Sequence, residues 1–511
     1  MPGAEGGGAK PPPVYDVVVI GAGPGGSSAA NFLARVGIKT LLLDKAEFPR
    51  DKVCGDGLTP QAIYWLDRLG CAEEVLATTK ACLRECDLYI DCRRVLTGGF
   101  PDGTAYPDFA ILLDRRRFDH ILLQQAMRQG AHFEPHTVVR DIAIEADGVR
   151  VLAEQDRKPV EHRARIAIGA DGVTSATSRA IGNVLKEGVL AVSLRAYYRG
   201  VRRNGAQIKV YFGRDYFPGY GWLFVDDEGF ANVGLGYAFD RSFPLAASLG
   251  ESFRRFLARE LAEELGGAER CGAVSGGSAA FYRPRRIVAD RVMLVGDAAN
   301  QADPLNGGGI HKAMESAWFA AEAAKAALAK GDFSARSLAL YETLWNDHVD
   351  LDWQTAELFL SIAKNPNLRE FCLFLLGQIG GLTMADRRFQ DFCSGVFSGV
   401  IAQNLCLSPR ALYDAFPKDP ATWLAYLRSE GGLALGPLRL VRGTIRSLVN
   451  AGAGMGRDPL TNVDWGLDVA KKLLQLVERQ FTEPPRPWPV PAATASAAAR
   501  NFPSQGVERW Q

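Results

Sequence analysis

Along the first third of the chain, short unbroken apolar runs alternate with stretches of helical periodicity. Residues 17–20 are apolar throughout, too few for a helix and closed by glycine, which predicts a strand buried on both faces. A helical pattern over 27–36 stops at Gly37, and 40–43 predicts a second buried strand ending at Asp44. Further strands are predicted at 88–96, 109–113 and 163–169, two short ones within 132–152, and a helix over 118–129. The pattern then changes. Alternation at 190–198, 206–212, 221–225 and 231–237 predicts an antiparallel sheet set into the chain. Residues 291–295 return to the buried-strand pattern, and 311–330 to a helical one. From 334 to 481 the pattern is mostly helical, broken by Pro366, Pro409, Pro417, Pro420, Pro437 and Pro459. These shifts divide the chain into an arm (1–13), a first α/β part (14–187), an inserted antiparallel sheet (188–284), a second α/β part (285–333), a helical C-terminal domain (334–481) and a Pro/Ala-rich tail (482–511).

Between the first two predicted strands, Gly21, Gly23 and Gly26 stand in Gly-x-Gly-x-x-Gly register. The first glycine permits the tight strand-to-helix turn, the second lets backbone approach a pyrophosphate, and the third lets helix and strand pack closely. The positive end of the helix then faces a diphosphate. Asp44 is placed to accept hydrogen bonds from a ribose 2′-OH. Strand, glycines, helix, strand and acid agree on a dinucleotide-binding, Rossmann-like βαβ unit, without choosing between FAD and NAD.

A net charge of +1 over 511 residues supplies no field for nucleic acid or anionic lipid. Nine irregularly spaced cysteines suggest a reducing compartment rather than a disulfide framework. Cys82, Cys86 and Cys92 cluster without a C-x-x-C pair and read as core packing; no metal site is expected. The arm lacks the apolar core of a secretion signal. Two uncharged stretches, 371–385 and 392–409, fall at or below the length of a membrane span and read as buried helix, with docking on a membrane surface the minor reading.

Several residues could carry chemistry. Cys54 lies in a Gly-flanked loop, where chemistry alone favours a small buried turn residue over a site residue. Any of Arg115, Arg116 and Arg117 could pair with a phosphate or simply cap a helix. The stretch 217–224 packs Tyr220, Trp222 and Phe224 into one short strand, suited to a core or to an apolar ligand. Gly307, Gly308 and Gly309 before a helix would expose backbone N–H groups to a flat, electron-rich ligand. His311 reads as a surface or capping residue.

Four spaced motifs, at Gly21, at Arg115 (Arg-x-x-Phe-Asp), at Ala170 (Ala-Asp-Gly) and at Gly296 (Gly-Asp-Ala-Ala), together resemble the FAD-dependent oxidoreductases built like aromatic hydroxylases. The resemblance spans residues 14–330 and implies FAD contacts at Gly21, Gly23, Gly26, Asp44, Arg115, Asp171, Gly296, Asp297, Pro304, Gly307, Gly308, Gly309 and Ile310. Within that group, Lys52-Val53-Cys54-Gly55, Pro218-x-Tyr220-x-Trp222-x-Phe224 and Pro304-Leu305-Asn306-Gly307 are similar to signatures of the geranylgeranyl reductases. Val225 replaces the proline that ends the second signature, and Gly308 the glutamate of the family's Gly-Glu-Gly. Membership implies reduction of prenyl C=C bonds on a lipid, quinone or pigment, with Cys54 catalytic and Tyr220, Trp222 and Phe224 along the substrate. The alternatives are an FAD-dependent monooxygenase or halogenase on an aromatic or polyketide-type substrate, and a non-catalytic flavin- and lipid-binding protein. No second glycine motif follows a strand, so the reductant is a visiting NAD(P)H or a reduced electron-transfer protein such as ferredoxin. A cytoplasmic protein with peripheral membrane contact and no nucleic-acid partner is expected.

Overall fold

The structure is a computed structural model and describes residues 14–79, 81–184, 190–202, 207–239, 247–429 and 436–482. The arm and nearly all of the tail lie outside these residues.

The strand Val14–Ile20 sits at the centre of an eight-stranded sheet. Thr40–Leu43 and Lys158–Gly169 flank it, both parallel, and His132–Glu134 and Val292–Leu294 extend the sheet on either side. Side-chain alternation decides the layers. Val17 and Val19, with Leu42, Ile166 and Ile168, face a helical layer that includes Pro24–Ala34, Arg115–Arg128 and Ile310–Lys330. Val18 and Ile20, with Leu41 and Leu43, face Ile142, Val149 and Val151 of an antiparallel meander. Burial on both faces explains the unbroken apolar runs. Small residues bring the helices close: a Cβ on Gly25 would stand 3.5 Å from that of Ala313, and Ala317, Ala320 and Ala324 are fully buried.

The second sheet has seven strands, in the order Glu269–Ala280, Leu190–Arg199, Ala231–Phe239, Tyr220–Val225, Ile208–Phe212, Glu85–Ile90 and Arg93–Gly99. It is therefore not a single insertion, because residues 85–99 join it from the first α/β part. The strand expected at 88–96 is a hairpin, turned at Asp91 and Cys92 with both φ positive (46° and 65°). That geometry is usually announced by Asn-Gly or Asp-Gly, and here no glycine marks it. Cys92 is exposed at this turn, so core packing does not describe it. The expected pair of strands within 132–152 is likewise three: His132–Glu134, Thr137–Ile144 and Val149–Gln155.

Helices from Ala335–Leu338 to Pro459–Thr482 make up the rest of the described residues. The first uncharged stretch, 371–385, forms a half-buried helix, with Leu373 and Leu382 inside and Leu375 and Met384 outside. The second, 392–409, is the end of the helix Arg387–Ser398 followed by the short turn Gln403–Leu407, with no exposed residue before Pro409. Among the described residues, no helix is long and apolar enough to cross a membrane.

Candidate active site

Three loops and one strand meet where the two sheets adjoin. The first loop is the glycine turn. Gly21 has φ +99° and donates its N–H to Leu43 O at 2.7 Å. A Cβ on Gly26 would stand 1.7 Å from Gly21 O, so only glycine closes this turn. Gly23 is different: the nearest atom to its Cβ position is Arg50 Nη2, at 3.6 Å. It also starts the helix Pro24–Ala34 with no side chain capping it. The turn therefore leaves an open helix N-terminus beside a guanidinium, which suits a diphosphate. Asp44 accepts the N–H of Ala22 (2.7 Å) and of Ala46 (2.8 Å), fixing the turn while keeping lone pairs for a ribose hydroxyl.

The second loop, residues 45–57, brings charge and a thiol. Arg115 grips Asp119 through two 2.7 Å bonds, and Arg50 Nη1 lies 2.8 Å from the same carboxylate. Asp119 is fully buried and Arg115 nearly so. The Arg115 guanidinium also acts on the Cys54 thiol through its charge. Burial pushes that thiol's pKa up, against the pull of the guanidinium, so Cys54 holds its proton at neutral pH. Two residues on, Asp56 adopts φ +62° and takes hydrogen bonds from Tyr197 Oη (2.6 Å) and Asn232 Nδ2 (2.8 Å). Asn232 donates to Cys54 O as well (2.8 Å) and accepts from Trp222 Nε1 (2.9 Å).

The third loop, residues 296–309, folds on itself. The Asp303 carboxylate caps Leu305 N (2.8 Å) and takes Gln403 Nε2 (2.7 Å), and its carbonyl holds Gly307 N (2.9 Å). Asn306 Oδ1 holds Gly308 N at 2.7 Å. The three glycines thus do not present three N–H groups outward: Asp303 and Asn306, acting as turn formers, engage two of them. Asp297 stays in the cleft, its Oδ1 3.7 Å from the Gly309 Cβ position. Burial raises its pKa, opposed by the charges of Lys52 and Arg115.

The strand Tyr220–Val225 joins the second and third loops. Gly221 packs on Phe256 of the helix Leu249–Arg259, and Leu223 and Val225 share its core cluster. Tyr220, Trp222 and Phe224 point the other way. Tyr220 Oη donates to Asn306 O at 2.8 Å, and a Cβ on Gly55 would stand 3.1 Å from the Phe224 ring and 3.5 Å from Trp222 Nε1.

Not every expected residue serves the cleft. Asp171 accepts from Ser175 Oγ (2.5 Å), Ala176 N (2.7 Å) and both N and Oγ1 of Thr177 (3.1 and 3.3 Å), so its carboxylate caps a helix instead of facing a ligand. Gly296 lets its turn touch the next helix, its Cβ position 3.0 Å from that of Ala313. Pro304 is buried, and Ile310 packs on the main core. His311 is buried rather than surface-placed, 3.3 Å from Thr59 Oγ1, and burial holds it neutral. Arg116 and Arg117 are exposed. Residues to which the reading of the sequence gave no role are Arg50, Asp56, Asp119, Asn232 and Gln403. Asp119 alone had a local signal, as the acid that ends the Arg-x-x-Phe-Asp motif, four residues after Arg115 on one helix face.

Burial pushes the Asp56 carboxyl up to about 6, against the bonds from Tyr197 and Asn232 and the charges of Arg195 and Arg115. The folded state therefore holds this proton more tightly than the unfolded chain. The stability it contributes is complete below about pH 4 and lost as pH rises through about 6, roughly 1.4 kcal/mol between about pH 5 and pH 8. Asp56→Asn can accept the same two bonds without titrating. Urea unfolding at the two pH values should show the wild type losing that amount relative to the variant; parallel losses would rule the assignment out.

The sequence family described as "FAD binding domain" matches residues 14–349. Digeranylgeranylglycerophospholipid reductase of Methanothrix thermoacetophila is 31% identical over 410 residues, covering 78% of this chain and 98% of the relative. Menaquinone reductase of Mycolicibacterium smegmatis is 32% identical over 332 residues, 60% of this chain and 75% of the relative. The solved structure of a geranylgeranyl bacteriochlorophyll reductase-like protein from Thermoplasma acidophilum superposes with a TM-score of 0.62 at 23% identity, over 81% of this chain and 99% of that one. The open glycine turn fits the cofactor that these matches share in family, and FAD is the cofactor of this chain. With two thirds of its length inside that family and a nearly full-length relative beyond it, the chain belongs to the geranylgeranyl reductase family of FAD-dependent oxidoreductases.

Proposed function

We propose that the protein reduces C=C bonds of a prenyl chain carried on a lipid or quinone. One observation carries the reading: a single strand face, Tyr220, Trp222 and Phe224, spans from the Cys54 loop to the Asn306–Gly307 loop. On this reading the face is the apolar wall against which a prenyl chain would lie between the two loops.

Bound here and reduced, FAD would supply the hydride that an alkene carbon takes up. Gly21, Gly23 and Gly26 would hold its diphosphate with Arg50 opposite, Asp44 its adenosine ribose and Asp297 its ribityl chain. Arg115, held by Asp119, would lend its positive charge to the same site. An isolated alkene has no carbonyl to polarise, so alignment and exclusion of water must lower the barrier. The aromatic wall supplies both. The second carbon needs a proton, and the Cys54 thiol, kept protonated by burial, would be its source. The thiolate then regains a proton from solvent, and the net change is one hydrogen pair per bond. The reductant is NAD(P)H or a reduced carrier protein of ferredoxin type. A lipid substrate also implies work at a membrane surface.

Anaerobic incubation of the dithionite-reduced protein with a geranylgeranyl lipid tests this by mass spectrometry. Stepwise gain of one hydrogen pair per bond is expected. A hydroxylated or halogenated product that forms only with oxygen would replace the proposal with the monooxygenase reading, and tight lipid binding without turnover would leave a carrier. Trp222→Ala should raise the KM for the prenyl lipid at least tenfold, about 1.4 kcal/mol, with normal flavin content. An unchanged KM would remove this face from the substrate site.

A further inference from the structure

The last two helices among the described residues are turned inside out. On Gly436–Met455 the side against the protein is small: a Cβ on Gly443 would stand 2.5 Å from the Phe374 ring, one on Gly454 2.3 Å from Asn367 Oδ1, and Ser447 is buried. The opposite side carries Val441, Ile445, Leu448 and Val449, between 50% and 63% exposed. On Pro459–Thr482 the inner side is mostly polar. Asn462 Oδ1 accepts from Asn365 Nδ2 (2.9 Å), Trp465 Nε1 donates to Ser361 O (2.8 Å), Lys472 pairs with Glu357 (3.3 Å), and Arg479 pairs with Asp350 (2.6 Å). Leu460, Val463, Leu467 and Leu474 lie outward, between 58% and 80% exposed. Helical spacing places each set on one stripe. In water such stripes normally face the core; eight branched aliphatic residues on two consecutive helices mark surface meant for an apolar environment.

Charge says which environment. The helix Gly436–Met455 contains Arg439, Arg442 and Arg446 and no acidic residue. Arg442 and Arg446 are exposed. An amphipathic helix with branched aliphatics on one side and arginines beside them is the pattern of a segment lying in the headgroup region of an anionic bilayer. We propose that these two helices dock the protein on an anionic lipid surface, the aliphatic stripes at the headgroup–acyl boundary and the arginines on lipid phosphates. The surface is separate from the cofactor loops, so it stands whether or not the substrate is a prenyl lipid.

The test is flotation of the full-length, flavin-loaded protein with vesicles of phosphatidylcholine alone and of phosphatidylcholine mixed with phosphatidylglycerol. Binding should favour the anionic vesicles. Ile445→Glu with Leu467→Glu should lower the partition coefficient at least roughly tenfold, and Arg442→Gln with Arg446→Gln should remove most of the preference for anionic lipid. All four positions are exposed, so melting temperature and turnover of detergent-dispersed substrate should be unchanged. Failure to bind either vesicle overturns the proposal. So does binding indifferent to both double variants. A dimer in light scattering that both double variants dissociate, without vesicle binding, would assign the face to a second copy of the chain.

Discussion

Gly26→Ala is expected to yield protein that carries no flavin and is recovered mostly unfolded. A methyl group there would stand 1.7 Å from Gly21 O and 3.2 Å from the Ala170 Cβ, and the first of these is backbone. Relief requires moving the turn away from the central strand, whose Gly21 N–H bond to Leu43 O and parallel pairing on both sides hold it in place. The cost belongs with the largest single-residue effects, above about 4 kcal/mol. Gly23→Ala is the informative partner. Its nearest neighbour would be the end of a flexible arginine at 3.6 Å, so the chain should fold with a near-normal melting temperature. The added methyl occupies the approach to the diphosphate, and flavin should be lost on dilution. Bound absorbance and thermal melting of both variants check this. A Gly26→Ala protein with full flavin content would overturn the packing described for the turn.

The second large effect is Asp119→Ala. Removing this carboxylate strands the Arg115 guanidinium, which is nearly fully buried and bonds Asp119 twice, and frees Arg50 from its place beside the glycine turn. Breaking a buried pair on one side costs about 3–5 kcal/mol because the remaining charge has no water to return to. Stability should fall by that amount, and flavin affinity should fall with it as Arg50 swings away. A conservative change of Arg115 to Lys should also lose stability, since an ammonium cannot reproduce the two-point grip. Denaturant unfolding of the flavin-free proteins measures the first effect alone. A loss under about 1 kcal/mol would mean that the pair is solvated.

What could be read from the chain was local. The βαβ unit announced itself because strand, turn, helix and acid lie within one continuous segment, and each residue type is demanded by backbone geometry or burial. The antiparallel sheet was visible through alternation for the same reason. The hairpin at 85–99 was missed because its turn uses Asp91 and Cys92, which carry no turn signature, and because sheet partners are chosen across 120 residues. Asp171, Gly307 and Gly308 show the reverse error. Their motifs were recognised, yet hydrogen bonds to Ser175, Asp303 and Asn306 commit the polar groups inward, which spacing cannot reveal.

By itself, the order of residues determined the nucleotide unit, the reductase resemblance and the aromatic strand, since these depend on neighbours in the chain. Tertiary structure alone decided that Arg50 joins Arg115 on the buried Asp119 carboxylate, that Asn232 ties Trp222 to the Cys54 loop, and that the helices Gly436–Met455 and Pro459–Thr482 face outward with their apolar sides. Burial and pairing are properties of contacts between distant segments, and a side chain's charge, proton or exposure follows from what the fold places around it.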